Sequence, residues 1–174
     1  MLDIRLLGAP LVTVDGEPID VDTKKAIAIL AYLVIEGMAD REALAGIFWG
    51  DSPPERARAT LRRTLSALRS AVGSTAIQAD RSRIGLTIGH RSDVAAFDEA
   101  IAETTEHDHD PADVCDRCVS SLSVATKLYR GDFLSGFTLR DCPEFDQWQF
   151  HQADTLRHQL SGALWCLVSS SCTE

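Results

Sequence analysis

Residues 53–73, "PPERARATLRRTLSALRSAVG", carry five arginines and one acid, Glu55, on a strongly periodic apolar pattern. This segment constrains the chain more than any other. At 100° per residue, with Leu61 set at zero, Ala57, Leu65, Leu68 and Val72 fall within about 40° of it. They make one core-facing stripe. Arg58, Arg69 and Arg62 follow on one flank at about 60°, 80° and 100°. Ser66, Ala59 and Ser70 cross the outer face, and Arg63 and Arg56 close the far flank. The pattern predicts a helix with one buried side and an outer side of small residues edged by guanidinium groups. Pro53 or Pro54 suits its first turn, where a missing N–H costs nothing, and Gly73 stops it.

The segments on either side give the architecture. "LDIRLLG" places Leu2, Ile4 and Leu6 on one face, and Asp15-Gly16 between the short apolar runs that follow is a hairpin signal. Asp22 or Thr23 is placed to cap a helix over "KKAIAILAYLVIEG", which Gly37 ends. Asp40 caps "REALAGIFWG", and Asp51 or Ser52 caps the arginine helix. "TAIQA" and "RIGLTIG", joined by "DRS", predict a closing hairpin with Arg81 and Arg83 at its tip. A sheet, three helices with a tight second turn and a hairpin is the order of a winged helix-turn-helix. From Ser92 the pattern is helical. Val94, Phe97 and Ile101 share one face, and Cys118, Leu122, Ala125 and Tyr129 share another. Phe145, Trp148, Gln152, Leu156, Leu160, Ala163 and Leu167 mark a long final helix. The expected fold is mainly α with small β: a winged helix over 1–91 and a TPR-like helical domain over 92–174.

Charge divides at the same place. The chain has a formal net charge of −9. Residues 1–91 hold twelve basic and eleven acidic residues, whereas 92–174 hold five and fifteen. A cationic helix in an acidic chain is the footprint of a polyanion partner, since Lys and Arg bind phosphate locally and salt screens the rest. A merely solvated arginine face is the plainer reading. Against it stand the scarcity of acids at i,i+4 spacing, the short helix and turn that precede, and the cationic hairpin tip that follows.

Other chemistry finds little support. His107, His109, Cys115 and Cys118 are zinc-type ligands, but their spacing fits no common finger, and Cys118 suits a core position better. A "CDRC" redox pair lacks the strand-then-helix setting it needs. No Gly-rich phosphate loop and no nucleophile elbow occur. No apolar run approaches the roughly 20 residues that span a bilayer, and the first residues do not read as a signal peptide. These readings predict a cytoplasmic, non-enzymatic protein without metal or cofactor.

"FWGDSPPERARATLRRTLSALRSAVG" resembles the recognition region of SARP-type (Streptomyces antibiotic regulatory protein) activators, whose DNA-binding part is an OmpR/PhoB-like winged helix. "SDVAAFDEAI" and "LYRGDFLSGF…DCPEFDQWQ" resemble the bacterial transcriptional activator domain that follows in that family. The resemblance implies a transcription factor, and with the residue pattern it leads us to expect a sequence-specific activator on double-stranded DNA. One winged helix covers only a short site, so a homodimer on promoter repeats is expected, with the helical domain contacting the dimer partner or RNA polymerase. The resemblance places Arg62, Arg63 and Ser66 towards the groove, Arg58 and Arg69 towards phosphates, and Arg81 and Arg83 in the wing. Arg56 and Ala59 complete the candidate surface by helical angle. The family's second domain has more helices than fit after Asp141, so the chain is expected to be an N-terminal piece of a longer protein. The rival reading is a helical protein-interaction module that regulates an attached ATPase or cyclase and binds no DNA.

Overall fold

The computed structural model describes residues 1–21, 23–105 and 114–171. Strand β1 (Leu2–Arg5) pairs antiparallel with β2 (Leu11–Val14), with Leu2 opposite Val14. Asp15 and Gly16 both take positive φ, 54° and 92°, as a two-residue type I′ turn requires. They return the chain as β3 (Glu17–Pro18). The expected inward face of β1 is buried: Leu2, Ile4 and Leu6 are each at most 7% exposed.

Three helices follow: α1 (Lys24–Glu36), α2 (Arg41–Trp49) and α3 (Pro54–Val72). Asp40 caps α2 as its position predicts. Its Oδ1 accepts from the N–H groups of Glu42 and Ala43 at 2.8 and 3.2 Å. The other expected caps differ. Asp22 lies outside the described residues, and Thr23 stands at the N-cap of α1 without a side-chain bond. At α3 the N-cap is Pro53, not Asp51 or Ser52. The Pro53 carbonyl accepts from the N–H groups of Arg56 and Ala57. Pro54 brings no N–H to the first turn, so fewer donors there need a side chain.

The hairpin after α3 is β5 (Ile77–Ala79) and β6 (Arg83–Leu86). A two-residue strand before α2, β4 (Ala39–Asp40), joins β6 and gives the order β4-β6-β5. Gly85 of β6 is where this sheet meets the turn after α1. A Cβ there would come within 2.3 Å of Met38 Sδ, so a side chain would displace Met38. A second short strand, β7 (Arg91–Ser92), runs parallel to β1 and completes the order β3-β2-β1-β7.

Helices α4 (Asp93–Thr105), α5 (Asp116–Leu128) and α6 (Pro143–Ser171) form the remainder. Val94, Phe97, Cys118, Leu122, Ala125, Phe145, Leu156 and Ala163 are buried, as the helical spacing predicts. The core runs past residue 92 without a break, from Ile4, Ile29 and Phe48 to Phe97, Phe133 and Phe145. Trp148 is central to this junction. Its ring lies 4.9 Å from that of Tyr32, 5.4 Å from Phe145 and 5.7 Å from Phe133, and its Nε1 donates to Glu36 at 2.8 Å. The segment between α5 and α6 also bonds to the chain after β1: Leu134 N donates to Leu6 O, and Gly8 N to Asp132 O. The acidic helical half is therefore built onto α1, α2 and β1 through apolar and backbone contacts.

Candidate nucleic-acid interface

Helix α3 packs on α1 and α2 through its apolar stripe. Ala57, Leu61, Leu65, Leu68 and Val72 are all 5% exposed or less, with Thr64 beside them at 8%. The opposite face is open. Arg56, Arg58, Arg62, Arg63 and Ser66 are exposed, while Ala59 and Arg69 are half-buried. The Arg69 Nε is enclosed and meets no hydrogen-bond acceptor among the described residues. Arg69 thus points less freely outward than its helical angle implies.

Arg58 departs further from the sequence expectation. Few acids stand near it on its own helix, yet two carboxylates hold it. Its Nε donates to Glu42 Oε1 at 2.8 Å and its Nη1 to Glu55 Oε1 at 3.0 Å. The Glu42 hydrogen bond is the main cause of a guanidinium pKa raised above its ordinary value. Glu42 comes from α2, sixteen residues earlier, and helical spacing within α3 could not reveal it.

The hairpin tip stands beside this face. Asp80 Oδ1 accepts from Ser82 N and Arg83 N, both at 2.7 Å, and from Ser82 Oγ at 3.2 Å. These bonds, the Arg83 N–H foremost, hold the Asp80 carboxyl below its ordinary pKa. The tip is an Asx-type turn with a fixed shape. Arg81 and Arg83 are both exposed on it, and Arg83 Nη2 also donates to Met38 O at 3.2 Å.

The structure adds one residue that the sequence did not single out. Arg41, the first residue of α2, donates its backbone N–H to Ser82 O at 2.7 Å and its Nη1 to Asp80 O at 3.0 Å. It ties α2 to the hairpin tip and shares a cavity of about 190 Å³ with Glu42, Arg58, Leu61, Arg62 and Arg81. A lone arginine after a cap carries no signal by itself. Only the pairing of β4 with β6 brings it to the tip.

Of the zinc-type ligands, His107 and His109 lie outside the described residues. Cys115 is exposed and Cys118 is buried. Burial, followed by a hydrogen bond with Cys115, raises the Cys118 thiol above its ordinary pKa. Among the described residues no group of three His, Cys, Asp or Glu side chains could hold a metal ion. No helix among them is long and apolar enough to cross a membrane.

No family model matches the chain. Relatives that it resembles, two of which follow, are transcriptional regulators. The two are the transcriptional regulatory protein EmbR of Mycobacterium tuberculosis and its counterpart in Mycobacterium bovis. Each is 31% identical over 147 residues, which is 80% of this chain and 37% of the relative. The structure of M. tuberculosis EmbR in complex with a low-affinity phosphopeptide matches with a TM-score of 0.69 and 28% identity. That match covers 91% of this chain and 43% of the other. The chain is homologous to EmbR, and its mainly helical fold with a few strands matches the EmbR structure over the part covered. It spans well under half the length of the relatives it matches.

Proposed function

We propose that this chain is a sequence-specific DNA-binding transcriptional activator. Residues 1–91 form the winged helix, with α3 as recognition helix and the β5–β6 hairpin as wing. Residues 92–174 form the TPR-like helical activator domain. The protein works in the cytoplasm as a homodimer on promoter repeats, and the helical half contacts the partner copy or RNA polymerase. Arg62, Arg63 and Ser66 read the major groove, with Ala59 allowing close approach. Arg56, Arg58 and Arg69 serve phosphates, and Arg81 and Arg83 enter the minor groove from the wing.

The observation that carries this reading is the open guanidinium face of α3 beside a cationic hairpin tip. Homology to a transcriptional regulator supports it. One observation favours the rival protein-interaction reading: Leu164, Trp165 and Val168 of α6 are 45%, 60% and 65% exposed. Selection of genomic fragments on the purified protein separates the two. Enrichment of a shared sequence, retained on duplex DNA at moderate salt, is the expected result. Passage through a duplex DNA column without retention sinks the DNA-binding reading and leaves the helical half as the functional part.

A further inference from the structure

We infer that the notch between α2, α3 and the hairpin tip seats one phosphate of the duplex backbone. Arg41 is one of its contact residues, and Glu42 is an internal competitor for the seat. This rests on the DNA-binding reading above and extends it to residues outside the recognition face.

Four guanidinium groups, from Arg41, Arg58, Arg62 and Arg81, line the notch with one carboxylate, Glu42, and the apolar side of Leu61. Arginine stays charged at every pH the protein meets, so four in one notch repel each other, and the one carboxylate there, Glu42, offsets only part of that charge. Among the described residues only Arg58 of the four has a carboxylate partner. Arg41 spends one N–H on the Asp80 carbonyl. Arg62 and Arg81 make no ion pair among the described residues. The group that satisfies such a set is a tetrahedral oxyanion, whose paired oxygens match the guanidinium fork.

The seat is held in place before any ligand arrives. Asp40 fixes the start of α2, and the Arg41 N–H fixes the hairpin tip to it. A preset backbone frame reduces the freedom lost when the side chains close on a ligand. Arg62 belongs both to the notch and to the exposed α3 face, so a duplex lying on that face passes over the notch. Glu42 is 64% exposed at its side chain and can swing into water when a phosphate replaces it on Arg58. The free protein therefore carries a carboxylate in the place of a phosphate oxygen, which tempers sequence-independent binding.

The test is fluorescence anisotropy with a mixed-sequence duplex of about 30 base pairs, titrated between about 50 and 200 mM salt. Each neutralised phosphate contributes about −0.9 to the slope of log affinity against log salt. Arg41→Ala should flatten the slope by about that amount, and Arg41→Lys, which keeps the charge, should restore it. Glu42→Gln should tighten binding about two- to fivefold at low salt, the range expected for releasing an exposed ion pair. Melting curves confirm that each variant is folded. If the wild type binds while Arg41→Ala keeps its slope and Glu42→Gln its affinity, the phosphate seat is wrong and the DNA-binding reading stands. Wild-type protein that binds no duplex overturns both. Capture of a phosphopeptide that needs Arg41, with duplex binding unaffected by its loss, overturns the seat as a duplex contact.

Discussion

Asp93 and Arg130 meet across 3.1 Å at the junction of β1, α4 and the end of α5, where the carboxylate is 6% exposed and the guanidinium 42%. The same carboxylate accepts the backbone N–H groups of Leu6 and Leu7 at 2.7 and 3.0 Å. Asp93 therefore satisfies two buried donors that leave the sheet as β1 ends, and Arg130 neutralises it from the solvent side.

Asp93→Ala should destabilise the protein by about 2–4 kcal/mol, because two buried N–H groups lose their acceptor. Arg130→Ala should cost less, about 1–3 kcal/mol, since the buried carboxylate it leaves behind keeps both backbone N–H donors. Urea unfolding measures both. An equal or reversed order would mean that the ion pair, and not the backbone bonds, holds the junction.

Asp80→Ala removes three hydrogen bonds from an exposed turn and none from the core. The melting temperature should change little. Duplex affinity should fall modestly, because Arg81 and Arg83 then stand on a looser tip that keeps its bonds to Arg41 and Met38 but loses the Asp80 acceptor. Anisotropy beside a melting curve checks this, and unchanged affinity would remove the hairpin from the interface.

Asp132 accepts from Arg157 Nη2 at 3.0 Å and from the Tyr129 hydroxyl at 3.1 Å. The Arg157 bond is the first cause of its lowered pKa. A carboxyl lowered in the folded state stabilises above its unfolded pKa, and that contribution is lost as pH falls through the folded value. Tyr129 is pushed up to about 12, first by burial and then by its bond to Asp132. Its contribution is present below the unfolded phenol value and is lost as pH rises through about 12. Asp132→Asn should shrink the acid-side loss of stability and bring the Tyr129 titration partly back towards its ordinary value. A phenolate absorbance titration reads this directly, and a Tyr129 transition left at its wild-type position would show that burial alone sets it.

Trp148→Ala should cost about 3–5 kcal/mol, since the ring joins α6 to Tyr32 of α1 and to Phe133 and Phe145. Trp148→Phe should cost far less, losing the Glu36 bond but keeping most of the apolar contact. Chemical denaturation of the pair tests whether apolar burial or the indole hydrogen bond dominates this junction.

Much of this architecture was legible residue by residue. The Asp40 cap, the Asp15-Gly16 turn, the stripe of α3 and the buried faces of α4 to α6 depend on near neighbours, and spacing reports near neighbours. Strands β4 and β7 are two residues each, too short for any period to show. They exist because β6 and β1 offer them partners. The α3 cap was misread because Pro53 and Pro54 change which backbone groups need partners. On the candidate surface, the outward turn of Arg62, Arg63 and Ser66 followed from helical angle. The capture of Arg58 by Glu42 and the approach of Arg41 to the hairpin tip arise only from tertiary contact. The partial enclosure of Arg69 reflects neighbours that angle alone does not place.

In the proposed function the outward arginines of α3 read DNA. An anisotropy titration of wild-type protein and the Arg62→Ala/Arg63→Ala double variant, on a selected fragment and its scrambled counterpart, tests it most directly. The wild type should prefer the selected fragment, and the double variant should lose at least about tenfold of that preference while melting like the wild type. A double variant that keeps the full preference would leave α3 without a role in reading sequence.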